Sequence, residues 1–294
     1  MKYAWIKEYR GDYSVVRLCR AMQVSKSGYY SWLGSEPSPR NRRTASIRES
    51  VMEVYRQSGG IYGSYKITEK LKSDERLETA CRNTVAKAMQ DLGIKSRVSR
   101  KFKPTTTVND PSKKPAPNIL AQDFKADTPN QKWVADITYL PTLGGWVYLA
   151  VVLDLFSRKV VGWKMSNRLT TPLVTGALRS AIESRKPVTR ELLHHSDRGC
   201  QYTSQAFQQI MQTTNITCSM SRTGCCYDNA VVERFFWSLK HEWTKFEEYE
   251  DLDDARMSVF KYIETFYNNQ RIHQTLDYKT PNQFEANFQQ TIAV

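Results

Sequence analysis

Histidine and cysteine are scarce in this chain of 294 residues, which has four of the first and six of the second, with no CxxC pair. Scattered cysteines without that spacing suit reduced thiols in the cytoplasm better than a zinc ribbon or a disulfide framework. Long hydrophobic runs are also missing. The longest, Trp146 to Leu153, is closed by Asp154 and falls far short of the ~18 to 20 apolar residues that a membrane-spanning helix needs. The N-terminal MKYAWIKEYRGDY has no apolar run before its next charges, so it lacks the central region of a secretory signal. A cytoplasmic protein without a membrane partner is expected.

Acidic residues are in short supply in the first half only. The net charge is +13, and residues 1–128 hold 25 basic against 13 acidic residues, which leaves 18 against 17 for the remainder. Such an excess calls for a polyanionic partner, nucleic acid or an anionic membrane surface. With 40% hydrophobic and 25% charged residues, the chain has enough apolar material to bury a core. Its length suggests about two domains.

The first half reads as helices. Residues 1–36 form an N-terminal helical unit, with short helices across 14–33 joined at Val24-Ser25-Lys26-Ser27, where Ser caps a helix start. Ser35-Glu36-Pro37-Ser38-Pro39 breaks the pattern. Residues 41–100 hold a second unit: Ile47, Val51, Val54 and Tyr55 recur at helical spacing, Tyr65 to Leu71 repeats it, and Val85, Met89 and Leu92 share a face that Gly93 ends. Arg82, Asn83 and Lys87 sit where a recognition helix presents donors to phosphates or base edges, although a solvated helix face accounts for any one of them equally well. Residues 101–130, basic and with five prolines, read as an extended interdomain linker.

From Trp133 the period changes to that of strands. Residues 132–140, 146–154 and 158–165 form an antiparallel meander with turns at Leu143-Gly144-Gly145 and Phe156-Ser157-Arg158. A helix (172–184), a strand ending near Ser196, a helix (203–213), a strand (215–220) and a long helix (228–245) follow. The order βββαβαβα predicts an α/β fold with one mixed five-stranded sheet and helices on its faces, over residues 131–245. Residues 246–294 complete the chain as a helical tail, and the six acids of Glu247 to Asp254 read as a solvated helix start.

Three acids come from separate elements of this core. Asp136 lies inside the first strand, sharing a face with Val134 and Thr138; Asp197 follows the fourth strand; Glu233 falls in the long helix among apolar Val231, Val232, Phe235 and Phe236. Each alone is ordinary: a polar strand residue, a strand-end cap, an exposed helix residue. Together they are a hard oxygen set that suits Mg²⁺ or Mn²⁺, and two such ions serve phosphodiester chemistry. Asp228 is set aside as a helix N-cap. A zinc site from His194, His195, Cys225 and Cys226 fails because adjacent residues seldom share one ion, and a Ser196/His195/Asp197 triad fails because neighbours on one strand point apart.

The blocks WVADITY (133–139), HSDRGCQYTS (195–204) and DNAVVERFF (228–236) resemble those of DDE transposases, and 35 residues separate Asp197 from Glu233, as in that class. The closest resemblance is to the catalytic second-frame product (OrfB) of the insertion-sequence-three family, over nearly the whole chain. Tyr62-Gly63 with Ile67 and Leu71 is similar to its helix-turn-helix, and Tyr267-Asn268, Arg271, His273, Leu276, Thr280-Pro281 and Phe284 to its C-terminal segment. Departures are Cys200 and Arg234, where serine is common.

The resemblance implies an RNase H-like core whose Asp136, Asp197 and Glu233 are catalytic and hold the metals. It implies 3′-end cleavage at terminal inverted repeats, then strand transfer into target DNA. Lys240 would contact terminal DNA, while Arg82, Asn83 and Lys87 would help read the repeat. It also implies a first-frame transposase subunit, or fusion to it, and a homo-oligomer on DNA in the bacterial nucleoid. Two other readings use the same residues: a DNA-binding regulator whose core is only a scaffold, which the three acids oppose, and a nuclease that stops at hydrolysis.

Overall fold

The computed structural model describes residues 2–36, 38–72, 77, 80–97, 115–222 and 226–292. Pro37 of the first break, residues 101–114 of the linker and Cys225 lie outside the described residues.

The N-terminal unit has helices α1 (Lys2–Tyr9), α2 (Val15–Ala21) and α3 (Lys26–Gly34) around a small core of Ile6, Leu18, Cys19 and Tyr29. Ser25 caps α3 by accepting from the Gly28 amide at 3.0 Å. Helix α1 is an addition to the sequence expectation: a single buried residue, Ile6, anchors it, so it shows no apolar stripe. The next unit packs α4 (Pro39–Gln57), α5 (Ser64–Leu71) and α6 (Arg82–Asp91) through Val51, Ile67 and Val85, all fully buried. Gly93, at φ +67°, ends α6 where a left-handed residue is needed.

Five strands follow, β1 (Lys132–Thr142), β2 (Gly145–Asp154), β3 (Val160–Ser166), β4 (Leu193–Ser196) and β5 (Thr217–Met220). They form one sheet in the order β3-β2-β1-β4-β5, with β1, β2 and β3 antiparallel and β4 and β5 parallel to β1. Strand alternation sends side chains to two cores. On one face Trp133, Ala135 and Val152 meet α7 (Thr171–Arg185) and α8 (Gln205–Thr213) through Leu178, Phe207 and Met211. Helix α7 lies so close to β3 that a Cβ on Gly162 would stand 2.4 Å from the Ala177 carbonyl oxygen. On the other face Val134, Leu149 and Val151 meet Val232, Phe235, Phe236 and Leu239 of α9 (Ala230–Glu242).

Helix α9 is shorter than the expected 228–245. It stops at Glu242, and a tight turn, Thr244–Phe246, follows. Asp228 is not its N-cap; that position belongs to Asn229. The fully buried Asp228 carboxylate instead accepts from Asn118 Nδ2 (2.8 Å), Gln122 Nε2 (2.9 Å) and the Arg222 amide (2.9 Å). These bonds show that the end of the linker is not a solvated tether. Residues 115–130 begin with an extended stretch beside β5, where the Ser219 hydroxyl accepts from the Ile119 and Leu120 amides and Leu120 is buried.

The C-terminal segment is built into the same core. Helix α10 (Leu252–Phe260) continues as a π-helical stretch, Lys261–Tyr267, whose Tyr262, Ile263 and Phe266 pack with α9, and α11 (Pro281–Ile292) follows. The acid run does start a helix, since Asp251 accepts from the Asp253 and Asp254 amides. Arg271 forks onto the buried Glu242 carboxylate, Nε to Oε2 at 2.6 Å and Nη2 to Oε1 at 2.5 Å. Burial alone would raise the Glu242 carboxyl, but Arg271 holds it below its usual range. The Tyr62 hydroxyl ties α5's unit to this segment by donating to the Gln270 carbonyl at 3.1 Å and accepting from the Ile272 amide at 3.2 Å.

Breaking a buried pair from one side leaves an uncompensated charge, so Glu242→Gln should lower unfolding free energy by about 3–5 kcal/mol. The double change Glu242→Gln/Arg271→Met should recover most of that loss, and urea unfolding of the four proteins of the cycle measures both.

Candidate active site

Asp136 and Asp197 meet because their strands are parallel neighbours. Ala135 pairs with Ser196 in the last register step, so the acids follow at the same level on adjacent strands, whose spacing is ~4.8 Å. Glu233 reaches the same place from above. Asp136 projects to the face covered by α9, and Asn229 pins the start of α9 to β1 by donating Nδ2 to the Ala135 carbonyl at 3.2 Å. Glu233 sits in the first turn of that helix and is exposed.

The carboxylates are close enough to disturb each other. Burial, then the Asp197 charge, then that of Glu233, push the Asp136 carboxyl well above its ordinary range, against one hydrogen bond from the Ile137 amide at 2.8 Å. Asp197 is raised by burial and is opposed by the Gly199 amide, which donates to Oδ1 at 2.9 Å. Glu233, though exposed, is raised too, by the partial loss of water around its carboxyl group. Among the described residues, no three His, Cys, Asp or Glu side chains are gathered tightly enough to hold a metal ion as they stand.

Lys240 comes to this end too. Its ammonium lies 4.6 Å from the centre of the Tyr139 ring; burial lowers its pKa, and the Asp136 charge pulls it back up. Tyr202 and Asn229 are neighbours that the sequence reading missed as site residues. The Tyr202 hydroxyl is buried without a hydrogen-bond partner among the described residues, and its phenol is pushed up by burial and by the charges of Asp136 and Asp197. Both stand inside the motif blocks, Tyr202 five residues after Asp197 and Asn229 four before Glu233. Placement in those blocks was the available signal.

Arg82, Asn83 and Lys87 belong to a different place, the exposed side of α6, where the Arg82 guanidinium stacks 3.6 Å from the Tyr65 ring centre. Among the described residues, neither imidazole is arranged for a zinc site or a hydrolase triad. His195 shares hydrogen bonds with the Ser219 and Ser221 hydroxyls at 2.8 and 3.1 Å, while His194 turns to the other face against Phe207. Burial lowers the two imidazoles to about 3 for His194 and about 4 for His195, so both are neutral at pH 7. Ser196 Oγ donates to the Asp197 carbonyl at 3.0 Å rather than to an imidazole.

Its matches to known proteins make this chain a polynucleotidyl transferase of the integrase type. Residues 126–226 and 214–281 match the family described as "Integrase core domain", and residues 42–102 match "HTH-like domain". "Transposase InsF for insertion sequence IS3A" of Escherichia coli K12 is 39% identical over 287 residues, which cover 97% of this chain and 98% of that relative. "Insertion element IS600 uncharacterized 31 kDa protein" of Shigella sonnei is 35% identical over 276 residues, 94% of this chain and 100% of the relative. The chain belongs to the insertion-sequence-three family of transposases. Among solved structures, the HTLV-2 integrase catalytic core domain in complex with magnesium superposes with a TM-score of 0.42 at 22% identity, covering 55% of this chain and 99% of that one.

A carboxyl group whose pKa is raised by folding keeps its proton longer in the folded than in the unfolded state. Its burden on stability is therefore absent below the unfolded value of about 3.8 and grows as pH rises toward the folded value. Asp136→Asn should raise the melting temperature in metal-free buffer at pH 7.5 by on the order of a few degrees. That gain should vanish as the buffer approaches pH 3.5, which thermal scans at both pH values would show.

Proposed function

We propose that this transposase cuts the 3′ ends of its insertion sequence and joins them to target DNA, with Asp136, Asp197 and Glu233 as catalytic metal ligands. One observation carries the reading: three carboxylates from β1, the end of β4 and α9 are brought to one end of the sheet against their own repulsion. Such a set is stable when a divalent cation neutralises it, and all-oxygen donors fit Mg²⁺ or Mn²⁺, two ions in all. Bound there, these ions would supply Lewis acidity to both the attacking and the leaving oxygen of an in-line displacement.

The chain's own groups do the placing. Asp136 stands on β1 and Asp197 directly after the neighbouring β4, and Glu233 is carried by a helix held at both ends. Water displaces one phosphodiester oxygen and frees a 3′-OH at the element's end. That hydroxyl attacks a second phosphodiester and gives up its proton, while the P–O bond to the target strand's 3′ oxygen breaks and that oxygen takes up a proton to leave as a hydroxyl. Lys240 meets the phosphate of the terminal DNA from beside Tyr139. Arg82, Asn83 and Lys87 on the exposed side of α6 read the terminal inverted repeat. Two ends must be held at once, so the active form is a homo-oligomer on DNA, with the first-frame subunit or fusion adding contacts.

The test is a labelled duplex carrying the terminal repeat, incubated with Mg²⁺ or Mn²⁺ and either the wild type or Glu233→Gln, with first-frame protein supplied. Nicked and joined products should both fall on the order of 100-fold or more in the variant, as when one transition-state-stabilising group is lost. Undiminished joining by Glu233→Gln contradicts the assignment, and nicking without joining by the wild type replaces it with a nuclease.

A further inference from the structure

Helix α9 has a second working face. Val231, Arg234 and Ser238, spaced three and four apart, turn away from the acids and line a cavity of about 690 Å³. None of Asp136, Asp197 and Glu233 lines it. Its other walls are the first turn of α5 (Gly63 to Lys66), Arg158 at the β2–β3 turn, and the stretch Arg271 to Thr275. The cavity thus lies where the helix-turn-helix unit, the catalytic helix and the C-terminal segment come together.

The lining is cationic. Lys66, Arg158, Arg234 and Arg271 face one carboxylate, Glu242, and Arg271 already forks onto it. Arg158 brings a guanidinium nitrogen, Nη1, that is buried and has no hydrogen-bond partner among the described residues. An orphaned buried donor is costly and asks for an acceptor. The start of α5 offers more donors, because its N-cap is Gly63, which has no side chain to occupy the first-turn amides. Two neighbours report the positive field. Burial and then Arg271 lower the Lys66 ammonium to about 7, and His273 is held neutral by burial and by Arg271, Lys66 and Arg158.

Guanidinium forks, an ammonium and open helix amides converging on one cavity match a phosphate group, with its several acceptor oxygens and low pKa. We propose that this cavity is a phosphate site that seats one phosphodiester group of the bound DNA, fastening the duplex between α5 and the helix that carries Glu233. The inference rests on the chain acting on DNA as proposed above, and it adds a residue set outside the acids and outside α6. Seating a phosphate there links the unit that reads the repeat to the helix that completes the acid set.

The test uses the full chain without divalent metal, so that binding is read apart from catalysis. Fluorescence anisotropy with a labelled terminal-repeat duplex, run at several salt concentrations, compares the wild type with Lys66→Gln, Arg158→Gln and the double variant. Each single variant should bind more weakly, and the slope of log Kobs against log salt should shrink by about 0.9, the loss of one phosphate contact. The double variant should lose no more slope than a single one, because both residues serve the same phosphate. Inorganic phosphate should raise the melting temperature of the wild type and leave both single variants unmoved.

Unchanged slopes in well-folded variants overturn the proposal, and Lys66→Gln, on a residue that is only partly buried, carries the test if Arg158→Gln fails to fold. Phosphate stabilisation with unchanged DNA slopes also overturns it, in favour of a free phosphate ligand. The salt slope is read without metal and strand joining is read with it, so failure of the catalytic assignment and failure of the cavity show up in different measurements.

Discussion

The mutual repulsion of Asp136, Asp197 and Glu233 is the constraint around which the second half of the chain is organised. The charges of Asp197 and Glu233 both push the Asp136 carboxyl upward, so each adds to the cost of holding the set together. A helix bearing one of them would drift from the sheet unless other contacts outweighed that push. Four apolar residues of α9, Val232, Phe235, Phe236 and Leu239, are buried against it, each worth about 1.5–3 kcal/mol. Asn229 fixes one end of the helix to β1 beside Asp136, and Glu242 fixes the other to Arg271. The acid that must be near its neighbours is therefore carried by a helix that cannot leave.

Buried polar groups elsewhere do structural work that is easily mistaken for chemistry. Asp228 lies five residues before Glu233 and is fully buried, but its acceptor sites are taken by Asn118, Gln122 and the Arg222 amide. It is a clasp for residues 118–122, and through Ser219 that clasp continues to His195. The imidazole beside Asp197 is thus part of the wall behind the acids, neutral and occupied. Glu285 plays the same part at another corner, where Arg185 forks onto it at 2.7 and 2.8 Å and the Ser157 hydroxyl donates to it at 2.7 Å.

Strand period made the mixed sheet and the sequence of its elements along the chain legible, and the motif blocks singled out three acids, because each signal is local: alternation over ten residues, a carboxylate among apolar neighbours. Helix α1 escaped because it buries one residue. The docking of residues 115–130 escaped because a basic, proline-rich composition speaks for extension and says nothing of a Ser219 hydroxyl a hundred positions away. The tie between Glu242 and Arg271 joins residues 29 positions apart and leaves no periodic trace. For the same reason the cavity beside α9 was invisible, since its cations come from four separate stretches of chain. The true partners of Asp228 are not legible either, because an acid just before a helix looks like a cap whether or not its carboxylate turns elsewhere.

The central claim is that the three acids form one cation site, and metal binding tests it without reference to DNA. Calorimetric titration of the metal-free full chain with Mn²⁺ at pH 7.5, repeated on Asp136→Asn, is the most direct measurement. Two bound ions in the wild type, with binding lost or weakened on the order of 100-fold in the variant, is the result the account predicts. Equal binding by both proteins would place the metal elsewhere and contradict the account.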